Sequence, residues 1–418
     1  MAQNWFRYRS PEEIRADAKA NGVHIPLAES AGVLREKLSF GSVTLENRIG
    51  VAPMEGVDSL PSGAPSELTF RRYGRFARGG AGLIWLEATA TSQAGRSHRY
   101  QLMLNEKTLP AFQRLADGIR EEGLRQNGFA PYLVIQAHHA GRMAEGRPMV
   151  ARFYPGRDEK LRGFTGKLVS DGELEAVEEE MGNFAGLAKK AGFDAVEIKC
   201  CHGYLLGELL SAYERPGKYG GSFENRTRLT RNAVKAAKVH EDARFLVTAR
   251  LGIRDGEPYP YGFGVRKDGG DAPDMTEPVR LVKEFAREGM PFLNLSLGLT
   301  LTAAAEKNPL LDLARIADLT GQVKKACPEM TVSGTAFSYF REFAGLHAAG
   351  CVEEGVCDHV LFGRMAFADP DFPRELRDTG RIDPGKTCLA CGGCGRLIGA
   401  RKPTGCVVRD RETYPVRE

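Results

Sequence analysis

No stretch of about 18 consecutive apolar residues occurs in this 418-residue chain, and no apolar core follows its first residues, Met1 to Arg15. A membrane-spanning helix and a secretory leader are therefore not expected, and a cytoplasmic location is. An excess of one charge is also missing. The net charge is only +4, and Lys and Arg alternate with acids instead of gathering into the basic stripe that nucleic-acid binding requires. Low-complexity tracts are absent, and 27% charged with 42% hydrophobic residues is an ordinary globular balance, which sets aside disordered and collagen-like classes. The cysteine count, nine, is odd, which argues for reduced thiols over a disulfide framework.

Four of those cysteines, Cys388, Cys391, Cys394 and Cys406, are the most informative feature present. Three thiols within one short turn of chain, followed by a fourth, is how sequences wrap an iron-sulfur cluster. Structural zinc is the competing reading, although zinc ribbons more often present two separated C-x2-C pairs.

Short apolar, β-branched runs recur along the chain at Arg48 to Glu55, Ala81 to Ala90, Pro131 to His139, Phe193 to Cys201, Phe245 to Gly252, Pro291 to Gly298, Met330 to Thr335 and His359 to Arg364. Segments with apolar residues three and four apart lie between them, such as Leu109 to Glu122 and Glu173 to Ala191. Strand followed by helix, eight times, predicts an α/β fold of the (β/α)8 TIM-barrel type. An open doubly wound sheet is the alternative, but it binds dinucleotides through a G-x-G-x-x-G turn after the first strand, and none follows Met54. Residues 1–40 read as an N-terminal extension with a helix over Pro11 to Asn21, 41–375 as the barrel, and 376–418 as a short cysteine-bearing appendix.

In such barrels the chemistry lies at the C-terminal ends of the strands. That singles out Glu55, Glu87, Gln136, His139, Lys199, His202, Tyr204, Arg250, Asn294 and Ser296. After the seventh and eighth strands, the backbone N–H groups of Ser333-Gly334-Thr335 and Gly363-Arg364 suit a phosphate, with Arg364 as counter-charge. His138, next to His139, is expected to point the other way and to be structural. Cys200 and Cys201 read as small buried side chains, and the acidic run Glu173 to Glu180 as a solvated helix face.

The segment Val196 to Leu206, with Cys201-His202-Gly203-Tyr204 at its centre, and then Tyr219 to Arg226, resembles the signature of the old yellow enzyme family of FMN-dependent oxidoreductases. Asn47-Arg48 with Ala52-Pro53-Met54, Gln136-x-x-His139-x-Gly141-Arg142, and Phe362-Gly363-Arg364 resemble that family's other landmarks, in order, across residues 38–375. With the cysteines added, the chain is more similar to the branch containing 2,4-dienoyl-CoA reductase and trimethylamine dehydrogenase, whose barrels carry a four-cysteine [4Fe-4S] site.

The resemblance implies FMN held by Pro53, Met54, Gln136, Arg250, Gly334, Thr335, Gly363 and Arg364, with Gln136 on its pyrimidine edge and Arg250 beside N1 and O2. Glu55 and Glu87 join this set from the first two strand ends. Arg is the residue type suited to stabilising an anionic reduced flavin. Tyr204 is implied as the proton donor to the substrate's α-carbon and His202 as a ligand of its oxygen. Cys388, Cys391, Cys394 and Cys406 are implied as cluster ligands. Lys199 departs from the family, which has a histidine there, and so changes the oxygen site from two rings to a ring and an ammonium. Glu55 stands where many members carry a small hydroxyl or a cysteine.

The expected activity is ene reduction of an enone, enoate or enoyl thioester, with electrons entering through the cluster from a separate ferredoxin, flavodoxin or NAD(P)H-dependent reductase. Arg396, Arg401, Lys402 and Arg409 are expected to form a basic patch for that donor. Amine dehydrogenation with electrons leaving, and a bare electron-transfer subunit, are the alternatives. No nucleic-acid or membrane partner is expected, and homo-oligomerisation stays open.

Overall fold

The computed structural model describes residues 6–159, 166–270, 272–298 and 309–415. Eight parallel strands close on themselves: β1 (Ile49–Val51), β2 (Leu83–Ala90), β3 (Tyr132–His138), β4 (Ala195–Cys200), β5 (Leu246–Gly252), β6 (Phe292–Ser296), β7 (Thr331–Gly334) and β8 (His359–Phe362). Each pairs with the next, and Leu361 of β8 lies beside Gly50 of β1 to complete the ring. Every run expected to be a strand is one, and the chain folds as a (β/α)8 barrel.

Gly50 is required at that closure. A Cβ there would stand 2.4 Å from the His359 ring and 2.6 Å from the Leu361 side chain. Asn47 sets the neighbouring register, since its side-chain oxygen accepts from the N–H groups of Ile49 and Gly82 while its amide donates to Gly80. On the outer wall, Ser170 and Glu173 cap each other at the start of helix Asp171–Lys190, satisfying backbone donors that the first turn leaves open.

The acidic run in that helix does more than face solvent. Glu175 pairs with Lys218, Glu178 accepts from Tyr219 and Asn232, and Glu180 accepts from Thr91. The run therefore ties down the loop after β4.

Inside the barrel Trp85, Val134, Leu246, Phe292 and Leu361 form a second core, separate from the one between sheet and helices. A hairpin of Leu38–Phe40 and Val43–Leu45 plugs it at the N-terminal end, with the Phe40 ring 4.7 Å from that of Phe292. Burying one such ring contributes roughly 1.5–3 kcal/mol. With that end closed, the C-terminal mouth is left for chemistry.

Residues after β8 fold back over this mouth. The Thr404 N–H donates to the carbonyl of Gly56 at 2.7 Å, and Asp410 accepts from Arg71 and Arg75 of helix Glu67–Arg78. Among the described residues no helix is long and apolar enough to cross a membrane.

Candidate active site

At the end of β4 the chain turns through two consecutive residues of positive φ, His202 at 60° and Gly203 at 66°. A histidine in this region carries backbone strain of roughly 1–3 kcal/mol, which surrounding contacts must hold in place. One such contact is the His202 ring, whose Nε2 lies 2.6 Å from Ser296 Oγ on β6. Strand alternation alone would put His202 opposite Lys199, and this turn returns it to the mouth. Burial, reinforced by the charges of Arg250 and Lys199, holds the imidazole well below its usual range. That environment favours the neutral ring.

Tyr204 follows directly and begins helix Leu205–Leu209. The Lys199 ammonium lies 4.3 Å from the centre of its ring, and the His138 ring meets it edge-on at 4.4 Å and 85°. Lys199 is only 6% exposed, and its burial lowers its pKa against the opposing pull of Cys201, Glu55 and Glu197. The loop after β3 braces the tyrosine. Leu205 N–H donates to the His139 carbonyl, and Gly141, at φ 57°, leaves no room for a Cβ against Leu205. Arg142, fully buried, joins Glu208 to Asp158.

Deeper in the barrel, Glu197 of β4 collects the side chains of two other strands. Gln136 Nε2 donates to its Oε1 at 2.5 Å and Asn294 Nδ2 to its Oε2 at 2.8 Å. Burial raises Glu197 despite the nearby Arg250. With the amide nitrogen of Gln136 so committed, its oxygen is the atom that can accept from a ligand. Arg250 is register-paired with both Lys199 and Asn294, is 8% exposed, and has a buried Nε without a hydrogen-bond partner. A buried guanidinium left this way fits an anionic ligand edge in the mouth.

Glu55, after β1, lies 2.9 Å from His98 Nε2. Glu87 sits behind it and is enclosed by protein. It accepts from the Gly56 N–H at 2.6 Å, from Arg72 and from Tyr73, while Arg72 also pairs with Asp58. Burial, with Asp58 and Glu55 adding to it, pushes Glu87 up to about 7 against Arg72. Glu87 thus holds the β1 loop from beneath.

Pro53, Met54, Thr335 and Gly363 stand half-buried at the ends of β1, β7 and β8. A Cβ on Gly363 would meet the Met54 sulfur at 2.7 Å, and one on Gly334 would meet Cys357 Sγ at 2.8 Å. Packing against these sulfurs therefore requires glycine at both strand ends, where the resemblance places the phosphate. Arg364 reaches further out. Its guanidinium lies 3.9 Å above the Tyr339 ring and lines one cavity together with Cys388, Cys391, Cys394 and Cys406.

Two thiols in that cavity accept backbone hydrogen bonds, Cys388 from Ala390 at 3.4 Å and Cys406 from Arg409 at 3.3 Å. Burial raises Cys388 to about 11 with Arg364 opposing, and Arg364 opposes the rise at Cys394 too. Among the described residues no three His, Cys, Asp or Glu side chains are arranged to share one metal ion. A cubane asks for something different, because each of its four thiolates ligates a different iron.

Sequence reasoning missed Glu197, His98 and Tyr339; His138, expected to be structural and to point away from His139, is buried with its ring packed edge-on against Tyr204. Period-two alternation places His138 on the face of Gln136, which puts it against Tyr204. Glu197 carried the same signal, two residues before Lys199. His98 lies in a loop, where no periodicity could point to it.

The family model for the NADH:flavin oxidoreductase / NADH oxidase family matches residues 34–297. The chain belongs to this family. Its model is named for flavin oxidoreductases, and the buried Arg250 guanidinium, whose Nε has no hydrogen-bond partner among the described residues, fits an anionic flavin edge. Among curated relatives, an NADH oxidase of Thermoanaerobacter brockii is 29% identical over 385 residues, covering 87% of this chain and 53% of that protein. The chain spans about half the length of the first curated relatives it matches. A 2-naphthoyl-CoA reductase structure superposes with TM-score 0.78 at 22% identity, covering 92% of this chain and 58% of the other. Old Yellow Enzyme from Pichia sp. AKU4542 superposes with TM-score 0.67 at 19% identity, covering 88% and 91%. At these identities the likeness of the two structures is one of fold.

Proposed function

We propose that this flavoenzyme reduces an electron-poor C=C bond, with Tyr204 giving the proton. The observation that carries the reading is the placement of Tyr204, whose ring is held between Lys199 and His138 beside the His202–Ser296 pair. Bound FMN supplies the two-electron reducing chemistry. Arg250 would neutralise the flavin's anionic edge and Gln136 would accept from its pyrimidine N–H. His202, neutral, donates one hydrogen bond to the substrate oxygen, and Lys199 stabilises the negative charge that gathers on that oxygen as the double bond is reduced. Tyr204 then delivers its proton to the α-carbon.

Two cations at the mouth oppose an ammonium substrate, so Lys199 and Arg250 favour ene reduction over amine oxidation. We assign residues 41–375 to the FMN barrel, 1–40 to an extension, and 376–418 to a [4Fe-4S] segment held by Cys388, Cys391, Cys394 and Cys406. The cluster would supply one-electron chemistry, and four thiols lining one cavity, Cys388 and Cys406 with N–H partners, support it. A separate ferredoxin, flavodoxin or NAD(P)H-dependent reductase is the donor.

Anaerobic turnover with enones, enoates, enoyl thioesters and methylated amines tests the reading. Tyr204→Phe should slow alkene reduction by roughly 10- to 10,000-fold, the range of general-acid loss, and leave flavin reduction by an artificial donor nearly unchanged. Equal loss in both half-reactions, or turnover of amines alone, would refute it.

A further inference from the structure

Arg364 was expected to face a phosphate, yet its guanidinium stacks on Tyr339 at the wall of the cysteine cavity. It opens helix Arg364–Ala368 immediately after β8, so the same turn of chain supplies Gly363 to the strand end where the resemblance places the phosphate and Arg364 to the thiols. Of the other arginines near these thiols, Arg341 lies over the Phe6 ring and reaches the Leu389 carbonyl at the cavity's edge, while the side chains of Arg396 and Arg409, both exposed, donate to the carbonyls of Cys391 and Thr387. Arg364 is the cation that lines the cavity with all four cysteines.

We propose that Arg364 is the residue that sets the reduction potential of the iron-sulfur site, acting as a fixed positive charge held against the cysteine cavity by Tyr339. This rests on the reading that the four cysteines carry a [4Fe-4S] cluster. Four thiolates give such a site a net negative charge, and each one-electron reduction adds another. A cation at the wall stabilises the reduced form more than the oxidised form and so raises the potential. The effect is strengthened where protein replaces water, because the local dielectric is low. Stacking on Tyr339 matters because a guanidinium plane held on a ring cannot swing away to solvent. The site would therefore accept an electron from a weaker donor than it otherwise could, beside the strand ends where that electron is needed.

The experiment is a dithionite titration of the holoprotein followed by low-temperature EPR of the reduced cluster, with iron and sulfide measured on each sample. Arg364→Gln should shift the midpoint to lower potential at an unchanged iron content. Arg364→Lys should restore most of the wild-type value, and Tyr339→Leu, which keeps the charge but frees it, should fall between. An Arg364→Gln cluster with the wild-type midpoint would overturn the inference. Should that variant fail to assemble a cluster, the Tyr339→Leu midpoint decides in its place, and a wild-type value there overturns the inference equally. Wild-type protein without iron and sulfide would overturn the cluster reading itself, which a midpoint comparison cannot do.

Discussion

Lys199 and Tyr204 form a cation–π pair, with the ammonium 4.3 Å from the ring centre. The ammonium is placed to offset negative charge developing on the Tyr204 ring as its proton leaves. The pair is worth about 0.5–2 kcal/mol. Lys199→Met is expected to slow the oxidative half-reaction with an alkene by roughly 2- to 30-fold, as that energy implies. The sign of the pH dependence follows from burial, which lowers the Lys199 pKa below its ordinary 10.5. The ammonium is present below that lowered pKa and lost above it, so the wild-type rate should fall as pH rises through it. Lys199→Arg should keep its charge and move the fall to higher pH. Stopped-flow traces across alkaline pH would check both, and coincident profiles would remove Lys199 from the proton step.

His202 depends on Ser296 for its orientation, given the 2.6 Å contact between Nε2 and Oγ and the strained φ of 60°. His202→Ala should raise KM and lower kcat together, because the ring would hold the substrate oxygen in both ground and transition states. Ser296→Ala removes one neutral hydrogen bond, about 0.5–1.5 kcal/mol, and should cost roughly 2- to 10-fold in kcat/KM. Steady-state kinetics on one alkene suffices.

Much of the fold was legible because barrel strands buried on both faces read as continuous apolar runs, and all eight runs became strands. Several motif residues prove to be structural locks. Asn47 sets the β1–β2 register, Arg142 clamps the β3 loop, and Arg226 ties Leu210 to Glu277. The site was legible where a side chain's direction follows from strand period, as at Gln136 and Lys199. It was not where loops decide direction. His98 reaches Glu55 from a loop and Arg364 lies over Tyr339, whereas the bend that brings His202 in at the loop start was required by strand period and is made through a positive φ.

The buried set of Asp58, Arg72 and Glu87 holds two carboxylates against one guanidinium, and burial raises Glu87 from 4.5 to about 7. Between those values the folded state binds a proton that the unfolded state has released, so this group's contribution to stability is lost as pH rises from about 4.5 through 7. Glu87→Gln should flatten that part of the Tm profile. Arg72→Leu leaves both buried carboxylates without their counter-charge and should cost about 3–5 kcal/mol in denaturant unfolding near neutral pH.

Cys391→Ala should abolish iron-sulfur absorption while FMN remains bound, because the barrel closes around cores that do not include this residue. Absorption spectra with iron and sulfide analysis of protein purified without oxygen would show it. One zinc and no sulfide in the wild type would favour the zinc reading.

The surface outside the cysteines bears on how electrons arrive. Of the four cations expected there, Arg401 is paired with Glu145 at 2.8 Å, and Arg396 and Arg409 donate to the carbonyls of Cys391 and Thr387 while remaining exposed. Lys402 is exposed beside them. Three cations thus remain to attract an acidic donor, and a charge-steered encounter weakens as salt shortens the Debye length from about 10 Å at 0.1 M to 3 Å at 1 M. Turnover driven by a reduced one-electron donor protein should fall steeply with added salt, whereas turnover with a small neutral reductant should not. Lys402→Glu, on the same face but outside the cysteine backbone, should reproduce the loss at low salt and act on donor KM more than on kcat. Equal rates with NADH alone, insensitive to salt and to Lys402→Glu, would refute the docked donor.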